Sequence, residues 1–224
     1  MDESSQLNQL AEKVTKSAEQ LASSDFEDNE LPWRQYCTPY RIFLAEFLLV
    51  RTRTDVVAKL YEDIFRAYPS LEAIAAASDD ELAVALNPLG LQKRVPYLKR
   101  AAEYLLHNHD GEIPCDIDEL MKVPGLGVYT ATAIEAFACD LPSVPADVNI
   151  LRFVSRLTGL EMEHITKGSK AIRALLPFLS MRNSGLRPQN LLDFTRLICR
   201  PRNPLCSKCP LTEMCAYFEL HNPK

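Results

Sequence analysis

Leu120-Met121-Lys122-Val123-Pro124-Gly125-Leu126-Gly127-Val128-Tyr129-Thr130-Ala131-Thr132-Ala133-Ile134 is the stretch on which the fold turns. Two of the chain's seven glycines flank one leucine here, between a polar, acid-led segment and a run of small residues. Upstream, Asp116 with Glu119 three residues on is a capping-box-like helix start. Pro124 ends that helix, and the glycines permit a tight reversal with positive φ. The helix that follows presents unpaired backbone N–H groups at its start, where a phosphate can be held. By itself, Gly-x-Gly in such a place says no more than an αα-hairpin.

Outward from the hairpin the chain reads as helices. Leu7, Leu10, Val14, Ala18 and Leu21 recur at helical spacing and predict an amphipathic opening helix. Residues 31–39 read as a connector, followed by a strongly apolar helix from Tyr40 to about Arg51. Further helices are predicted over Thr54–Tyr68, Leu71–Ala77, Asp80–Leu86 (capped by Asp79 or Asp80) and Leu91–Leu106. No long alternating β-branched run appears, so a sheet is not expected. The pattern predicts an all-α protein of roughly ten short helices.

The 224 residues suffice for one large domain or two small ones. The N-terminal sequence MDESSQLNQL is polar and acidic, so no signal peptide is expected. The longest apolar run, Ile42 to Val50, is broken by Glu46 and cannot span a membrane. An intracellular, cytoplasmic protein is therefore expected. The net charge of −5 is unevenly placed. Eight acids (Asp2, Glu3, Glu12, Glu19, Asp25, Glu27, Asp28, Glu30) face only Lys13 and Lys16 in the first 31 residues. The remainder is close to neutral, which permits a nucleic-acid partner without arguing for one.

Near the C-terminus stand Cys199, Cys206, Cys209 and Cys215, spaced C-x6-C-x2-C-x5-C. A core does not need cysteine at that density, so the four read as a ligand set. Zinc, an iron–sulfur cluster and a disulfide pair are the readings open at this point; only Cys206/Cys209 has the short spacing usual for zinc. Seven cysteines, an odd count without an export signal, favour metal ligation over disulfides. Cys37, Cys115 and Cys139 read as scattered small apolar residues.

The hairpin string resembles the helix-hairpin-helix of the DNA glycosylase superfamily that includes endonuclease III and the mismatch adenine and thymine glycosylases. That family carries an aspartate beyond the hairpin, and Ala146-Asp147-Val148-Asn149-Ile150-Leu151-Arg152 matches its segment. It also carries a terminal cluster loop, whose spacing the four cysteines match. The resemblance implies a structural [4Fe-4S] cluster on Cys199, Cys206, Cys209 and Cys215. It further implies phosphate contacts by Arg200 and Arg202 and by the hairpin's Gly125, Gly127 and Thr130.

Asp147 is the expected catalytic carboxylate, because breaking an N-glycosidic bond builds positive charge on the sugar. Its bland reading is a helix N-cap ahead of Ile150–Leu157. Glu46 has apolar neighbours at i±3 and i±4. Desolvation there disfavours the charged form, so Glu46 could hold or donate a proton; the alternative is a solvent-facing residue. By resemblance it matches a pocket glutamate that contacts the flipped base. Tyr129 stands where endonuclease III-like enzymes carry a Schiff-base lysine, which implies a monofunctional enzyme. Arg51 and Arg53 follow the apolar helix and are read as DNA contacts where a base is extruded. Val50-Arg51-Thr52 replaces the Gln-Gln-Thr run of the adenine branch, and the chain stops soon after the cysteines, as expected of the thymine/uracil branch. The segments Leu31-Pro32-Trp33 and Thr38-Pro39-Tyr40 look adenine-glycosylase-like instead.

The expected architecture is two helical domains flanking a DNA-binding cleft. Residues 1–36 would pack with the cluster domain, 37–139 would form a helical barrel with the motif at 116–138, and 140–224 would carry the cluster loop at 199–215. The expected enzyme is a monomeric glycosylase acting on double-stranded DNA with a mismatched or damaged base, above all thymine or uracil opposite guanine. The alternatives are adenine opposite guanine or 8-oxoguanine, a non-catalytic DNA-binding protein with a structural metal, and an electron-transfer protein.

Overall fold

The structure, a computed structural model, describes residues 3–24, 31–162 and 170–221. Asp2, Asp25, Glu27, Asp28 and Glu30 of the acidic N-terminal stretch lie outside the described residues. The helices in chain order are α1 (Glu3–Ala22), α2 (Pro32–Gln35), α3 (Pro39–Leu48), α4 (Thr54–Ala67), α5 (Leu71–Ala76), α6 (Asp79–Leu86) and α7 (Val95–Asn108). They continue with α8 (Ile117–Leu120), α9 (Val128–Ala138), α10 (Val148–Thr158), α11 (Lys170–Leu175), α12 (Met181–Ser184), α13 (Pro188–Leu197) and α14 (Ala216–His221). Short 3-10 turns intervene, and no strand occurs among the described residues. No described helix is long and apolar enough to cross a membrane. The all-α expectation holds, with more and shorter helices than the sequence suggested.

The chain forms two compact units. One spans Asn29–Leu141 and holds α2 to α9. Its central helix is α3, which is apolar all round and has every residue from Ile42 to Leu48 buried. Thr38 caps it by accepting from the Arg41 N–H at 3.3 Å, with Pro39 at the first helical position. α3 packs on α4 and α9, and α5 packs on α7. Residues 31–36, which the sequence reading attaches to the N-terminal helix, belong to this unit, since buried Trp33 meets Tyr61 of α4 edge-on at 5.3 Å.

The other unit combines Met1–Asp28 with Pro142–Lys224. Here the apolar stripe of α1 (Ala11, Val14, Ala18, Leu21) closes over Ile150, Val154, Leu175 and Phe194 from α10, α11 and α13. Gln20 of α1 donates to the Pro210 carbonyl at 2.8 Å, so the opening helix is also pinned to the terminal loop.

Three local readings need correction. Ser78, rather than Asp79 or Asp80, caps α6, in a reciprocal box with Glu81. The helix expected from Leu91 begins at Val95, after a 3-10 turn, because Pro96 offers no N–H to continue a helix upstream. Cys115 and Cys139 are not scattered apolar residues: they form a disulfide, with Cα atoms 5.9 Å apart. The sequence conceals this pairing because 24 residues separate the two, and only the reversal between α8 and α9 brings them together.

Candidate active site

In the Asn29–Leu141 unit the hairpin forms, with its first helix ending at Leu120, four residues ahead of the stop expected at Pro124. Asp116 caps α8 by accepting from the N–H groups of Asp118 and Glu119 at 2.9 and 3.1 Å. Gly125 has φ +85°, and a Cβ there would stand 3.2 Å from Cβ of Tyr97, so glycine is required both by backbone and by space. Gly127 differs: it is the extended N-cap of α9, and a Cβ would meet no protein atom within 4 Å. The fold itself does not demand glycine at 127, so the positive φ expected of both glycines applies to Gly125 alone. Thr130 and Tyr129 are half-buried on the first turn of α9, whose leading N–H groups lack helical acceptors.

α9 packs on α3, the helix that carries Glu46. Glu46 is only 6% exposed, so the solvent-facing reading of its side chain does not hold. Glutamate is rarely buried to this degree, which keeps Glu46 a functional candidate. Glu135 of α9 is a second carboxyl buried to the same degree, at 7% exposure. The sequence reading passed over it, since nothing distinguishes a helical glutamate facing inward until packing is known.

Past the end of α3, Arg51 adopts φ 58°, an uncommon left-handed conformation for a residue with a Cβ. Its side chain is exposed, and it shares a hollow of about 570 Å³ with Thr52, Gly90, Arg94, Tyr97 and Gly125. Three loops therefore meet at one concave place. Arg94 was missed as a site residue, although its basic neighbourhood is visible in the sequence. Its guanidinium lies 4.0 Å above the Phe47 ring and donates to the Phe47 carbonyl at 2.8 Å, locking the start of α7 to the end of α3. Arg53 stands apart from this group, with its guanidinium forked onto exposed Asp55 at 2.8 and 3.0 Å. Lys122 is bound by Glu119 at 2.6 Å, and that carboxylate holds its ammonium above the usual lysine range. A lysine kept protonated in this way is a poor nucleophile.

The second group lies in the unit that holds the terminal loop. Asp147 is the N-cap of α10: its Oδ1 accepts from the Ile150 N–H at 2.7 Å. Its Oδ2 accepts from Asn149 Nδ2 at 2.6 Å, and Asn149 Oδ1 in turn accepts from Arg152 Nη1 at 2.9 Å. Arg152 also donates to the carbonyls of Thr195 and Cys199 at 3.0 and 2.9 Å. A continuous polar chain thus runs from the candidate carboxylate to the backbone of the first clustered cysteine. One turn on, Arg156 donates to the Arg200 carbonyl at 2.7 Å, lies 3.5 Å from the Cys199 sulfur and stacks over Tyr217. Asn149, Arg152 and Arg156 stand at i, i+3 and i+7 of one helix face, a signal present in the sequence but assigned no role there.

Cys199, Cys206, Cys209 and Cys215 line one small cavity with Ile198, Pro204 and Phe218, and none of the four is in a disulfide. Burial pushes the Cys209 thiol up to about 11 and raises Cys206 as well, with the neighbouring sulfurs of Cys215 and Cys199 adding to the latter. Among the described residues, no group of three or more His, Cys, Asp or Glu side chains is arranged to hold a single metal ion. Arg200 and Arg202 are on the loop between the first two cysteines, where Asn203 takes φ 49°. Arg200 donates to the Asn203 carbonyl at 3.0 Å, while Arg202 is exposed.

Comparison with known proteins agrees with this geometry. Residues 44–177 match the profile described as "HhH-GPD superfamily base excision DNA repair protein". The chain is 32% identical over 204 residues to the thymine-DNA glycosylase of Aeropyrum pernix, covering 86% of this chain and 89% of that one. It is likewise 32% identical over 205 residues to the thymine/uracil-DNA glycosylase of Pyrobaculum aerophilum, covering 87% of each. Among solved structures, that of a thermostable thymine-DNA glycosylase superposes with a TM-score of 0.84 at 29% identity, covering 95% of this chain and 98% of that one.

Proposed function

Since the chain belongs to the HhH-GPD superfamily of base excision DNA repair proteins, we propose that it is a monofunctional glycosylase releasing thymine or uracil mispaired with guanine in double-stranded DNA. Acting inside the cell as a monomer, it would hydrolyse the bond between base and deoxyribose after the nucleotide leaves the stack. The observation that carries the chemistry is the carboxylate of Asp147, fixed through both oxygens at a helix start. A carboxylate so held needs no reorganisation as positive charge grows on the sugar, and it can orient the water that attacks C1′. The likeness to thymine and thymine/uracil glycosylases along most of the chain supports the choice of base.

Glu46, buried on α3, accepts from a flipped pyrimidine's N3–H or, when protonated, donates to a carbonyl oxygen. Tyr129 lines the base pocket and supplies no amine, and Lys122 is tied to Glu119. Water is therefore the nucleophile and the product strand remains whole. The α9 N–H groups behind Gly125, Gly127 and Thr130 hold a phosphate, and the open space over Gly127 supports close approach by one. Arg51 contacts the mispair or its flanking phosphates, with Arg53, Arg200 and Arg202 adding backbone contacts.

The terminal loop holds a [4Fe-4S] cluster in this proposal. Four undisulfided sulfurs lining one cavity, in the spacing of the cluster loop that the sequence resembles, support this reading. Bound iron would take the place of the thiol protons, and the cluster would staple the loop that carries Arg200 and Arg202. Arg156, which donates to the Cys199 sulfur at 3.5 Å, would lend positive charge to that thiolate.

A panel of otherwise identical duplexes with T·G, U·G, T·A, A·G and A·8-oxoguanine pairs tests the reading. Release from T·G and U·G, little from T·A and weaker release from A·G is expected. Faster release of adenine opposite 8-oxoguanine would overturn the substrate assignment, and no base release from any duplex would favour a non-catalytic DNA-binding protein.

A further inference from the structure

One covalent feature plays no part in the chemistry above. The Cys115–Cys139 disulfide brackets the helix-hairpin-helix: Cys115 immediately precedes the α8 cap Asp116, and Cys139 is the C-cap of α9. The hairpin's second helix is anchored, since Ala131, Ala133, Ile134, Ala136 and Phe137 of α9 are buried and α9 packs on α3, but the α8 half and the turn have little packing of their own. α8 is four residues long, and of its side chains only Leu120 is buried. Gly125 and Gly127 are exposed, and so are Met121 and Val128. A segment so thinly packed opens locally at small cost while α9 stays in place. A bond joining the hairpin's two ends removes most of the freedom gained on opening, because the open segment must remain a closed loop of about 24 residues.

We infer that Cys115 and Cys139 are a reversible thiol–disulfide site, which clamps the hairpin when oxidised and releases it when reduced. Cys115 is exposed and Cys139 half-buried, so the pair is open to small thiols and disulfides. With a low-molecular-weight disulfide as oxidant, the Cys115 thiolate attacks one sulfur and expels a thiolate. The Cys139 thiolate then attacks the Cys115 sulfur of the mixed disulfide and expels the second. The cysteine pair loses two electrons, the reagent's disulfide gains them, and the two protons leave with the released thiols. That the clamp alters DNA affinity rests on the proposed function, in which the hairpin holds a phosphate; the clamp itself does not.

The test uses the full chain. After treatment with glutathione disulfide and alkylation of free thiols, trypsin should release residues 101–122 and 123–152 as one cross-linked species, because Lys122 is the cleavage point between the two cysteines. Dithiothreitol should separate them and speed amide hydrogen exchange across 116–127 by roughly 10²-fold, the effect of releasing a loop of this length. Exchange elsewhere should hold steady. Cys139→Ser and Cys115→Ser should each show the fast exchange in both conditions and lose the response. Two cysteines that stay fully alkylated after glutathione disulfide, or hairpin exchange that ignores redox state, would overturn the inference. Affinity for an abasic-site duplex should fall on reduction. Absence of DNA affinity in both states would sink the glycosylase reading and leave the clamp standing, since exchange is read without DNA.

Discussion

Asp147→Asn separates catalysis from capping. Asparagine caps a helix about as well as aspartate, so the bond from the Ile150 N–H at 2.7 Å is kept. The cost arises on the other oxygen. An amide there puts an NH₂ against Asn149 Nδ2, which now donates to Oδ2 at 2.6 Å. If Asn149 flips to accept instead, its NH₂ faces Arg152 Nη1, at present 2.9 Å from Asn149 Oδ1. One hydrogen bond to a charged group is lost in either arrangement, and at this half-buried position water recovers part of it. A loss of about 1 kcal/mol follows, which lowers Tm by roughly 2–4 °C for a chain of this size. Removing the charge from the reacting sugar costs far more, roughly 10²-fold or greater in rate, or at least about 2.7 kcal/mol. Single-turnover base release from a T·G duplex, with calorimetry and DNA affinity on the same preparation, reads all three quantities. A near-normal rate with unchanged binding would return Asp147 to capping alone.

The terminal loop predicts a brown protein with broad visible absorption, and Cys206→Ser should cost solubility and bleach that absorption; a colourless protein with one equivalent of zinc after anaerobic preparation would remove the cluster. Borohydride should trap no substantial covalent complex with an abasic product, since Tyr129 offers no amine and Lys122 is held protonated by Glu119; efficient trapping that disappears in Lys122→Ala would identify that lysine as a nucleophile. Burial raises the phenols of Tyr40 and Tyr61 well above the usual tyrosine range, so these two of the eight tyrosines should ionise only with unfolding. Raised acid groups stabilise the fold below about pH 10 and lose that contribution as pH rises further, so absorbance at 295 nm should show a late phase coincident with loss of helix, and an early phase for all eight would contradict the burial.

By itself the sequence determined the elements whose causes are close together in the chain. The Asp116 cap and the reversal at Gly125 act over a few residues, so the hairpin is legible from residues 116–134, although α8 ends at Leu120 rather than at Pro124. The four clustered cysteines fall within 17 positions and read as a set, and Asp147 stands before an apolar helical run that needs a cap. Tertiary structure decided what depends on packing between distant segments. Arg152 meets the Cys199 carbonyl across 47 residues, Arg94 meets Phe47 across another 47, and Cys115 finds Cys139 across 24. The burial of Glu46 depends on α4 and α9 covering α3, and the pairing of α1 with the terminal loop unites opposite ends of the chain. Local signals arise because a turn or cap is satisfied by its own neighbours, whereas a buried arginine or carboxylate is defined by whichever helix later closes over it.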